Sequence, residues 1–231
     1  MPGGALCSRI GPRDTDHVVL RVKDGYERGG AVCDDPLIWV VDDFVEPDEC
    51  DHLLALADGR MADALVSRLG EDSTSERRTG EVCWLRHDES AVVAALVGRV
   101  ATFVGLPRTH AENLQVVHYA ETQEYQPHYD AWDVSTPKGE ENTAQGGNRA
   151  VTALMYLSEP AGGGATAFPN LGLELEARPG RLVVFHNLAT GSGDARHVDA
   201  LHGGTVVTSG EKWACNLWFR ERPYQRPERP Q

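Results

Sequence analysis

The segment that decides the fold begins with LQVVHYAETQEYQPHYD at residues 114–130 and ends with KWACNLWFR at residues 212–220. Across it, short runs rich in Val, Leu, Tyr and Phe are separated by Gly, Pro and Asn, which is the pattern of strands and turns. The predicted strands are 114–119, 125–130, 150–157, 166–168, 173–176, 181–185, 205–208 and 212–220. Short strands at this spacing, without alternating helices, predict an all-β core of the sandwich or jelly-roll type.

Two helices are predicted before this core, so the fold class is α+β, an all-β core with flanking helices. Pro47 opens the first helix, in the run PDECDHLLALA. The second helix covers residues 90–104, where Val and Leu recur at helical spacing. Ser90 can cap it, and Gly105 ends it. An apolar, β-branched run predicts a further strand at 37–41.

Polar segments bound and interrupt the predicted domain, which spans residues 36–221. They are predicted to lack regular structure because they are rich in Gly, Pro or charged residues. These segments are the partly flexible lead-in 1–35 with one strand candidate at 17–22, a loop at 67–80, a mobile loop at 133–147 and a disordered Pro-rich tail at 222–231.

Composition excludes several classes of partner. The net charge of −13, with no Lys/Arg cluster in the body of the chain, argues against a nucleic-acid partner. No apolar run approaches the length of about 20 residues that a membrane span needs. The five cysteines are scattered without a CxxC pair, which is typical of reduced thiols. We therefore expect a cytoplasmic protein without a membrane or nucleic-acid partner.

Two His-x-Asp pairs occur in the chain, and their positions distinguish them. His128 and Asp130 lie in a predicted strand, where residues two apart point to the same side and can reach one ion. His202 follows after several strands that can fold back toward this pair. His197 and Asp199 lie in a predicted loop and have no later histidine except His202, so we interpret them as surface residues.

The set of His128, Asp130 and His202 predicts a non-haem iron site. Two imidazoles and one carboxylate on one side of Fe(II) leave coordination positions open for a cosubstrate and O2. The other histidines are weaker candidates for metal ligands. His118 lies on the strand face opposite to its neighbour Tyr119, and a histidine at the end of the strand 181–185, residue 186, stays as the spare candidate.

Lys212 is the predicted partner for the distal carboxylate of 2-oxoglutarate, whose other end chelates the iron. It opens the last strand after a tight turn at 209–210, and a hairpin there would place this strand beside the one that follows His202. Strand alternation puts Lys212 and Trp218 on the same face. Tyr119, from a neighbouring strand, can hydrogen-bond the same carboxylate.

The chain resembles the prolyl 4-hydroxylase group of 2-oxoglutarate dioxygenases over roughly residues 37–221. Its run 114–130 is similar to the first half of that family's iron site. Run 148–188, NRAVTALMYLSEPAGGGATAFPNLGLELEARPGRLVVFHNL, is similar to the central strands, and run 200–221, ALHGGTVVTSGEKWACNLWFRE, to the distal histidine, the lysine and the last strand. VDDFVEPDECDHLLALA and RRTGEVCWL match the N-terminal support region. The stretch GSGDARHVD, and HGG where HAG is common, depart from the pattern near the entrance.

This resemblance implies a fold, a reaction and a site. The fold would be a double-stranded β-helix, or jelly roll, supported by N-terminal helices. The enzyme would be a 2-oxoglutarate-dependent dioxygenase, like procollagen-proline 4-dioxygenase, that uses Fe(II), O2 and 2-oxoglutarate, takes ascorbate as reductant, and releases succinate and CO2. The implied residues are His128, Asp130 and His202 for the metal, Lys212, Tyr119, Thr166 and Trp218 for 2-oxoglutarate, and Arg78, Tyr129, Arg149 and the loop 133–147 for the substrate.

The sequence leaves two questions open. The first is the substrate, which is a prolyl residue of a peptide or protein, or else a free amino acid or natural-product intermediate. The second is the class of protein. A zinc hydrolase could use the same three ligands but has no use for Lys212 and Tyr119, and a catalytically silent binding module has no need of the full set. Asp130 argues against a halogenase, which needs the place of the carboxylate for chloride.

Overall fold

The computed structural model describes residues 29–63, 65–68, 71–74, 79–191 and 195–224. Its helices are α1 (Pro47–Ala57), α2 (Ala91–Val104) and α3 (Pro137–Thr143). Its strands are β1 (Gly29–Asp34), β2 (Leu37–Val41), β3 (Ala62–Asp63), β4 (Leu65–Arg68), β5 (Glu71–Thr74), β6 (Glu81–Leu85), β7 (Leu114–Tyr119), β8 (Tyr125–His128), β9 (Arg149–Tyr156), β10 (Gly162–Gly163), β11 (Thr166–Phe168), β12 (Leu173–Leu175), β13 (Leu182–His186), β14 (His202–Gly204), β15 (Val207–Ser209) and β16 (Lys212–Arg220).

Two antiparallel sheets face each other and form the core of the fold. The larger sheet has the order β1-β2-β13-β9-β16-β7-β6-β3, and the smaller sheet has the order β12-β11-β14-β8. Phe185 of the larger sheet and Phe168 of the smaller sheet meet edge to face between them, with ring centres 5.2 Å apart. Tyr156 is fully buried in the same cluster. The predicted jelly roll with an all-β core is confirmed.

The helices α1 and α2 cover the outer face of the larger sheet. Apolar residues of α2 such as Leu96 are fully buried in one cluster with Leu217 of β16. Ser90 caps α2 by accepting a hydrogen bond from the Val93 amide at 3.1 Å, and Gly105 ends the helix with a φ of 72°. Both predicted helices are confirmed, because their caps and their apolar spacing are local properties of the sequence. Within the described ranges, no helix has the length and apolar content to cross a membrane.

All eight strands predicted for the core occur, as does the strand predicted at 37–41, but one predicted pairing was wrong. The strand predicted at 205–208 begins two residues later, as β15, and it pairs with β10. β10 and β15 form a separate two-stranded sheet, and after the turn at 209–210 the chain crosses into the larger sheet, where β16 lies between β7 and β9. The predicted hairpin between β15 and β16 therefore does not form, since a tight turn can also carry the chain from one sheet to the next.

The predicted lead-in and the predicted loop at 67–80 both contain strands in part. Residues 29–34 form β1, which pairs with β2 at the edge of the larger sheet. β4 and β5 pair with each other, so residues 71–74 are a strand where a loop was predicted. The neighbouring strand supplies the hydrogen bonds in both cases, which a polar sequence does not reveal. The strand candidate at 17–22 and Arg78 lie outside the described residues.

The segment 133–147, predicted to be a mobile loop without regular structure, contains α3, so the predicted lack of a helix was wrong. Thr136 caps the helix by accepting a hydrogen bond from the Gly139 amide at 3.1 Å, and Pro137 occupies the first turn. A capping Thr followed by Pro is a helix-start signal that the polar composition masked. The start of the predicted tail is also ordered, because the Tyr224 amide donates to the Thr109 carbonyl at 2.8 Å.

Candidate active site

The three predicted metal ligands meet at one end of the smaller sheet. β8 and β14 are antiparallel neighbours, and their register places His128 directly opposite His202. β8 ends at His128, two residues earlier than predicted, yet Asp130 in the following bend still faces the same point. One ligand atom from each of the three residues lies within 4.8 Å of the other two. Residues 74 positions apart in the sequence are thus brought together by strand pairing.

Backbone carbonyls fix the orientation of both imidazoles. Nδ1 of His128 lies 3.0 Å from the Gln126 carbonyl, and Nδ1 of His202 lies 3.0 Å from the Ala200 carbonyl. Because a carbonyl only accepts, each Nδ1 carries the proton and each Nε2 presents a lone pair. The two Nε2 atoms are each 3.6 Å from an oxygen of Asp130, too far for a good hydrogen bond but suited to a shared cation.

The charge states of these ligands also suit a divalent metal. Burial by itself would raise the pKa of Asp130, but the neighbouring His202 and His128 hold this pKa well below its usual range. Burial lowers the pKa of His202 to about 4. Asp130 is therefore a carboxylate and His202 a neutral imidazole, the forms that bind a metal. The residues fit Fe(II), for which two histidines and one carboxylate are a known ligand set.

His128, Asp130 and His202 form the metal triad of this site. A cavity of about 400 Å³ extends from the triad to Lys212. Lys212 is 4% exposed and stands opposite Tyr119 in the register of β16 and β7. Its Nζ lies 5.8 Å from the centre of the Tyr119 ring and 5.4 Å from that of Tyr156. Thr166, which also lines the cavity, accepts a hydrogen bond from the Tyr156 hydroxyl at 2.7 Å. In the part of the chain that the structure describes, no carboxylate pairs with the Lys212 ammonium.

An unpaired buried ammonium is costly, and an anion bound beside Lys212 would offset this cost. Burial lowers its pKa from 10.5 to about 8. A ligand that chelates the metal through one end and carries a second carboxylate at the other would supply the missing negative charge. 2-Oxoglutarate is such a ligand. The cavity thus has a place for each end of the molecule.

We expect the affinity for 2-oxoglutarate to fall as the pH rises above about 8, the pKa of Lys212 in the free enzyme. Only the ammonium form pairs with the distal carboxylate, so the apparent dissociation constant should rise about tenfold per pH unit above this pKa. Isothermal titration from pH 7 to pH 10 measures the dependence. Lys212→Arg keeps its charge over this range and should lose the dependence; a similar slope in both proteins would contradict the assignment.

Arg149, which lines the cavity, forms a buried ion pair with Glu112. Arg149 Nε and Nη2 donate to the two oxygens of Glu112 at 2.8 and 2.9 Å. The guanidinium lies 3.7 Å from the centre of the Trp218 ring and 4.6 Å from that of Trp132. Arg220 adds a further hydrogen bond to Glu112 at 2.6 Å. Arg149 is thus held rigidly beside the triad, with both tryptophans against it.

The structure also gives the positions of the other residues considered in the sequence analysis. Trp218 lines the cavity, and the strand alternation that predicted its direction is confirmed, as is that of His118, which stacks on Trp213 outside the cavity. Tyr129 also lines the cavity, and its hydroxyl donates to the Val198 carbonyl at 3.1 Å. His186 does not reach the triad; burial lowers its pKa to about 4.

The interpretation of His197 as a surface residue was wrong. His197 is 8% exposed, and its Nε2 lies 3.0 Å from Oδ1 of Asp35, which follows β1. Asp199 is half-buried, and its amide donates to Nδ1 of His197 at 3.1 Å. The partner of His197 is 162 residues away in the sequence, so local context gave no sign of its burial.

Sequence reasoning missed four residues that shape the site: Glu112, Thr152, Tyr156 and Asn187. Thr152 donates to Asp130 Oδ2 at 2.6 Å and accepts from Asn187 Nδ2 at 2.8 Å. The signal for two of them was present, because period-two alternation along β9 puts Thr152 and Tyr156 on the same face. Glu112 and Asn187 lie just outside strands, where alternation gives no direction.

Comparisons with known proteins agree with this geometry. A family model described as the 2OG-Fe(II) oxygenase superfamily matches residues 114–220. Prolyl 4-hydroxylase 1 of Arabidopsis thaliana is 32% identical over 227 residues, which cover 90% of this chain and 77% of that protein. Prolyl 4-hydroxylase 5 of the same plant is 31% identical over 212 residues, which cover 83% of this chain and 70% of that protein.

A solved structure is also similar. The viral collagen prolyl hydroxylase of Paramecium Bursaria Chlorella virus-1, in its 2OG complex, superposes with a TM-score of 0.61 at 27% identity. The match covers 79% of this chain and 95% of that one. Sequence similarity, fold and ligand geometry point the same way. The chain therefore belongs to the 2-oxoglutarate- and Fe(II)-dependent oxygenases, within their prolyl 4-hydroxylase-like group.

Proposed function

We propose that this enzyme hydroxylates prolyl residues of a peptide or protein, with release of succinate and CO2. The observation that supports the reaction is the unpaired, buried ammonium of Lys212 in the same cavity as His128, Asp130 and His202. The relatives named above as prolyl 4-hydroxylases support the choice of a prolyl substrate. Aromatic side chains that line the cavity, among them Trp132 and Trp218, are compatible with this choice, because a proline ring is apolar and packs on aromatic faces.

Each residue of the site has a defined task in this proposal. Iron, when bound with 2-oxoglutarate and O2, supplies the oxidising chemistry that replaces hydrogen by hydroxyl on an unactivated carbon. His128, Asp130 and His202 would hold the metal through one side. Lys212 would pair the distal carboxylate of 2-oxoglutarate, with Tyr119, Thr166 and Trp218 along the same cavity. Enclosure of the cosubstrate by the two sheets would exclude water from the reacting centre.

Arg149 is the residue we assign to a peptide substrate. Glu112 takes two of its donor atoms, Nε and Nη2. Its Nη1 donates to no acceptor among the residues with described side chains, and Arg149 lines the cavity. A free guanidinium donor on a residue that lines the cavity can bind a peptide carbonyl. Tyr129 and, by resemblance, Arg78 are proposed as further contacts.

The test of the function is turnover with matched substrates. The protein is supplied with Fe(II), 2-oxoglutarate and ascorbate, and offered a proline-rich peptide, the same peptide with alanine for proline, and free proline. We expect only the proline-rich peptide to gain the mass of one oxygen atom, with one succinate per hydroxylation. Turnover of free proline alone would favour an amino-acid hydroxylase. Hydrolytic activity that requires Zn(II) would favour the other class of enzyme.

We expect Arg149→Lys to raise the KM for the peptide about tenfold, the loss of one charge-assisted hydrogen bond, and to leave the KM for 2-oxoglutarate unchanged. A lysine cannot hold both oxygens of Glu112 and also reach the substrate. The matched control is Arg99→Lys, since Arg99 forms a similar two-point pair with Glu49 away from the cavity. Equal effects of both variants on the peptide KM would refute the assignment.

We also propose a cytoplasmic location, as the sequence predicts. The supporting observation is that Cys50, Cys83 and Cys215 are free and buried thiols, which is typical of proteins from reducing compartments.

A further inference from the structure

Asp130 ends a buried chain of hydrogen bonds that runs away from the metal-binding face. Thr152 Oγ1 donates to Asp130 Oδ2 at 2.6 Å, and Asn187 Nδ2 donates to Thr152 Oγ1 at 2.8 Å. Thr152 and Asn187 are each 1% exposed. Because the carboxylate only accepts and the amide nitrogen only donates, the hydroxyl proton of Thr152 points to Asp130. The direction of the whole chain is therefore fixed.

This chain ties Asp130 to the larger sheet, whereas both histidines belong to the smaller sheet. Thr152 is in the middle of β9, with Phe185 of β13 and Trp218 of β16 opposite it on either side. Asn187 directly follows β13, and its backbone N–H donates to the Ala150 carbonyl at 2.9 Å. Asp130 itself follows the end of β8 and pairs with no strand among the residues that the structure describes. Its side chain is therefore placed by Thr152.

We propose that Thr152, held by Asn187, is a positioning residue that fixes how the Asp130 carboxylate meets the metal. Oδ1 of Asp130 lies 3.6 Å from Nε2 of His128, and Oδ2 lies 3.6 Å from Nε2 of His202. A carboxylate that is free to rotate can bind a metal through one oxygen or through both, and binding through both would take a coordination position that 2-oxoglutarate and O2 need. By holding Oδ2, the hydroxyl of Thr152 prevents this rotation and keeps the carboxylate in one orientation toward both histidines. The proposal rests on the proposed function only in requiring that the triad bind a metal.

The test measures metal binding alone, with Co(II) as the probe and without O2 or substrate. Thr152→Val removes the hydroxyl and keeps the branched shape, whereas Thr152→Ser keeps the hydroxyl. We expect Thr152→Val to bind Co(II) roughly 10- to 100-fold more weakly, as is typical for loss of a group that orients a metal ligand. Its visible Co(II) spectrum should change as well, because the coordination of the ion changes. The Co(II) affinity of Thr152→Ser should stay within about threefold of that of the native protein.

Two results would overturn the proposal. One is a Thr152→Val protein with native Co(II) affinity and spectrum. The other is equal loss in Thr152→Ser, because the missing methyl group rather than the hydroxyl would then be responsible. Should Thr152→Val fail to fold, Asn187→Leu decides, since it keeps the hydroxyl but removes the group that orients it; weaker Co(II) binding supports the proposal and native binding refutes it. Failure of the proposed function looks different: the native protein would bind Co(II) but release no succinate.

Discussion

We expect Asp130→Ala and His202→Ala to lower the rate of succinate release at least about 100-fold. This loss exceeds the loss of activity that is typical when the changed residue only supports a metal ligand. Each substitution removes one of the atoms that meet within 4.8 Å. Two remaining ligands cannot hold the ion in a fixed position, so 2-oxoglutarate and O2 are no longer brought together. Succinate formed from 2-oxoglutarate, with the proline-rich peptide present, is the measured quantity.

The fold should survive both substitutions. Asp130→Ala leaves the Thr152 hydroxyl without an acceptor, which costs about 1–3 kcal/mol in a buried site, but it also removes a buried charge. Thermal unfolding with and without Co(II) separates loss of metal from loss of fold: added Co(II) should stabilise the native protein and neither variant. Asp88→Ala, which removes an exposed carboxylate paired with Arg86, is the control and should keep the Co(II) effect. Stabilisation of Asp130→Ala by Co(II) equal to that of the native protein would refute the role of Asp130.

The sequence predicts those elements and site residues whose determinants lie close together in the chain. The helix α2 follows from its Ser90 cap, its apolar spacing and Gly105, all within one segment. The faces of β16 follow from alternation, and so do the directions of Lys212 and Trp218. The triad was predicted because His128 and Asp130 are neighbours and His202 precedes the lysine-bearing strand. In each case a few adjacent residues carry the information.

The failures have a common physical cause, which is that the deciding partner lies elsewhere in the chain. His197 is buried and contacts Asp35, and β15 pairs with β10 rather than with the strand that follows it. Asp130 is oriented by Thr152, which sequence reasoning did not single out. Pairing between strands and burial of polar groups are tertiary effects, so neither composition nor spacing predicts them. The helix α3 is the exception, since Thr136 and Pro137 form a local helix-start signal from which it could have been predicted.

The second large effect concerns Lys212. We expect Lys212→Met to raise the KM for 2-oxoglutarate about 30-fold or more, equivalent to about 2 kcal/mol for a buried charge pair that loses one partner. The substitution keeps a long side chain in the cavity but leaves the distal carboxylate without a cation. Saturating 2-oxoglutarate should restore most of kcat, because the triad is untouched. Arg178→Ala, which removes an exposed cation paired with Glu176, should leave the KM unchanged.

The same variant should be more stable than the native protein when no 2-oxoglutarate is bound. The pKa of Lys212 is lowered from 10.5 to about 8 on folding, so below pH 8 the charged side chain destabilises the folded state, by about 2–4 kcal/mol. As the pH rises from 8 toward 10.5 the cost disappears, since the unfolded chain then loses its proton as well. Urea unfolding at pH 7 and pH 10 should therefore show a stabilisation by Lys212→Met that is large at pH 7 and small at pH 10. A variant less stable than the native protein at pH 7 would mean that the ammonium has a partner within the fold, and the reason for a dicarboxylate at this end of the cavity would be lost.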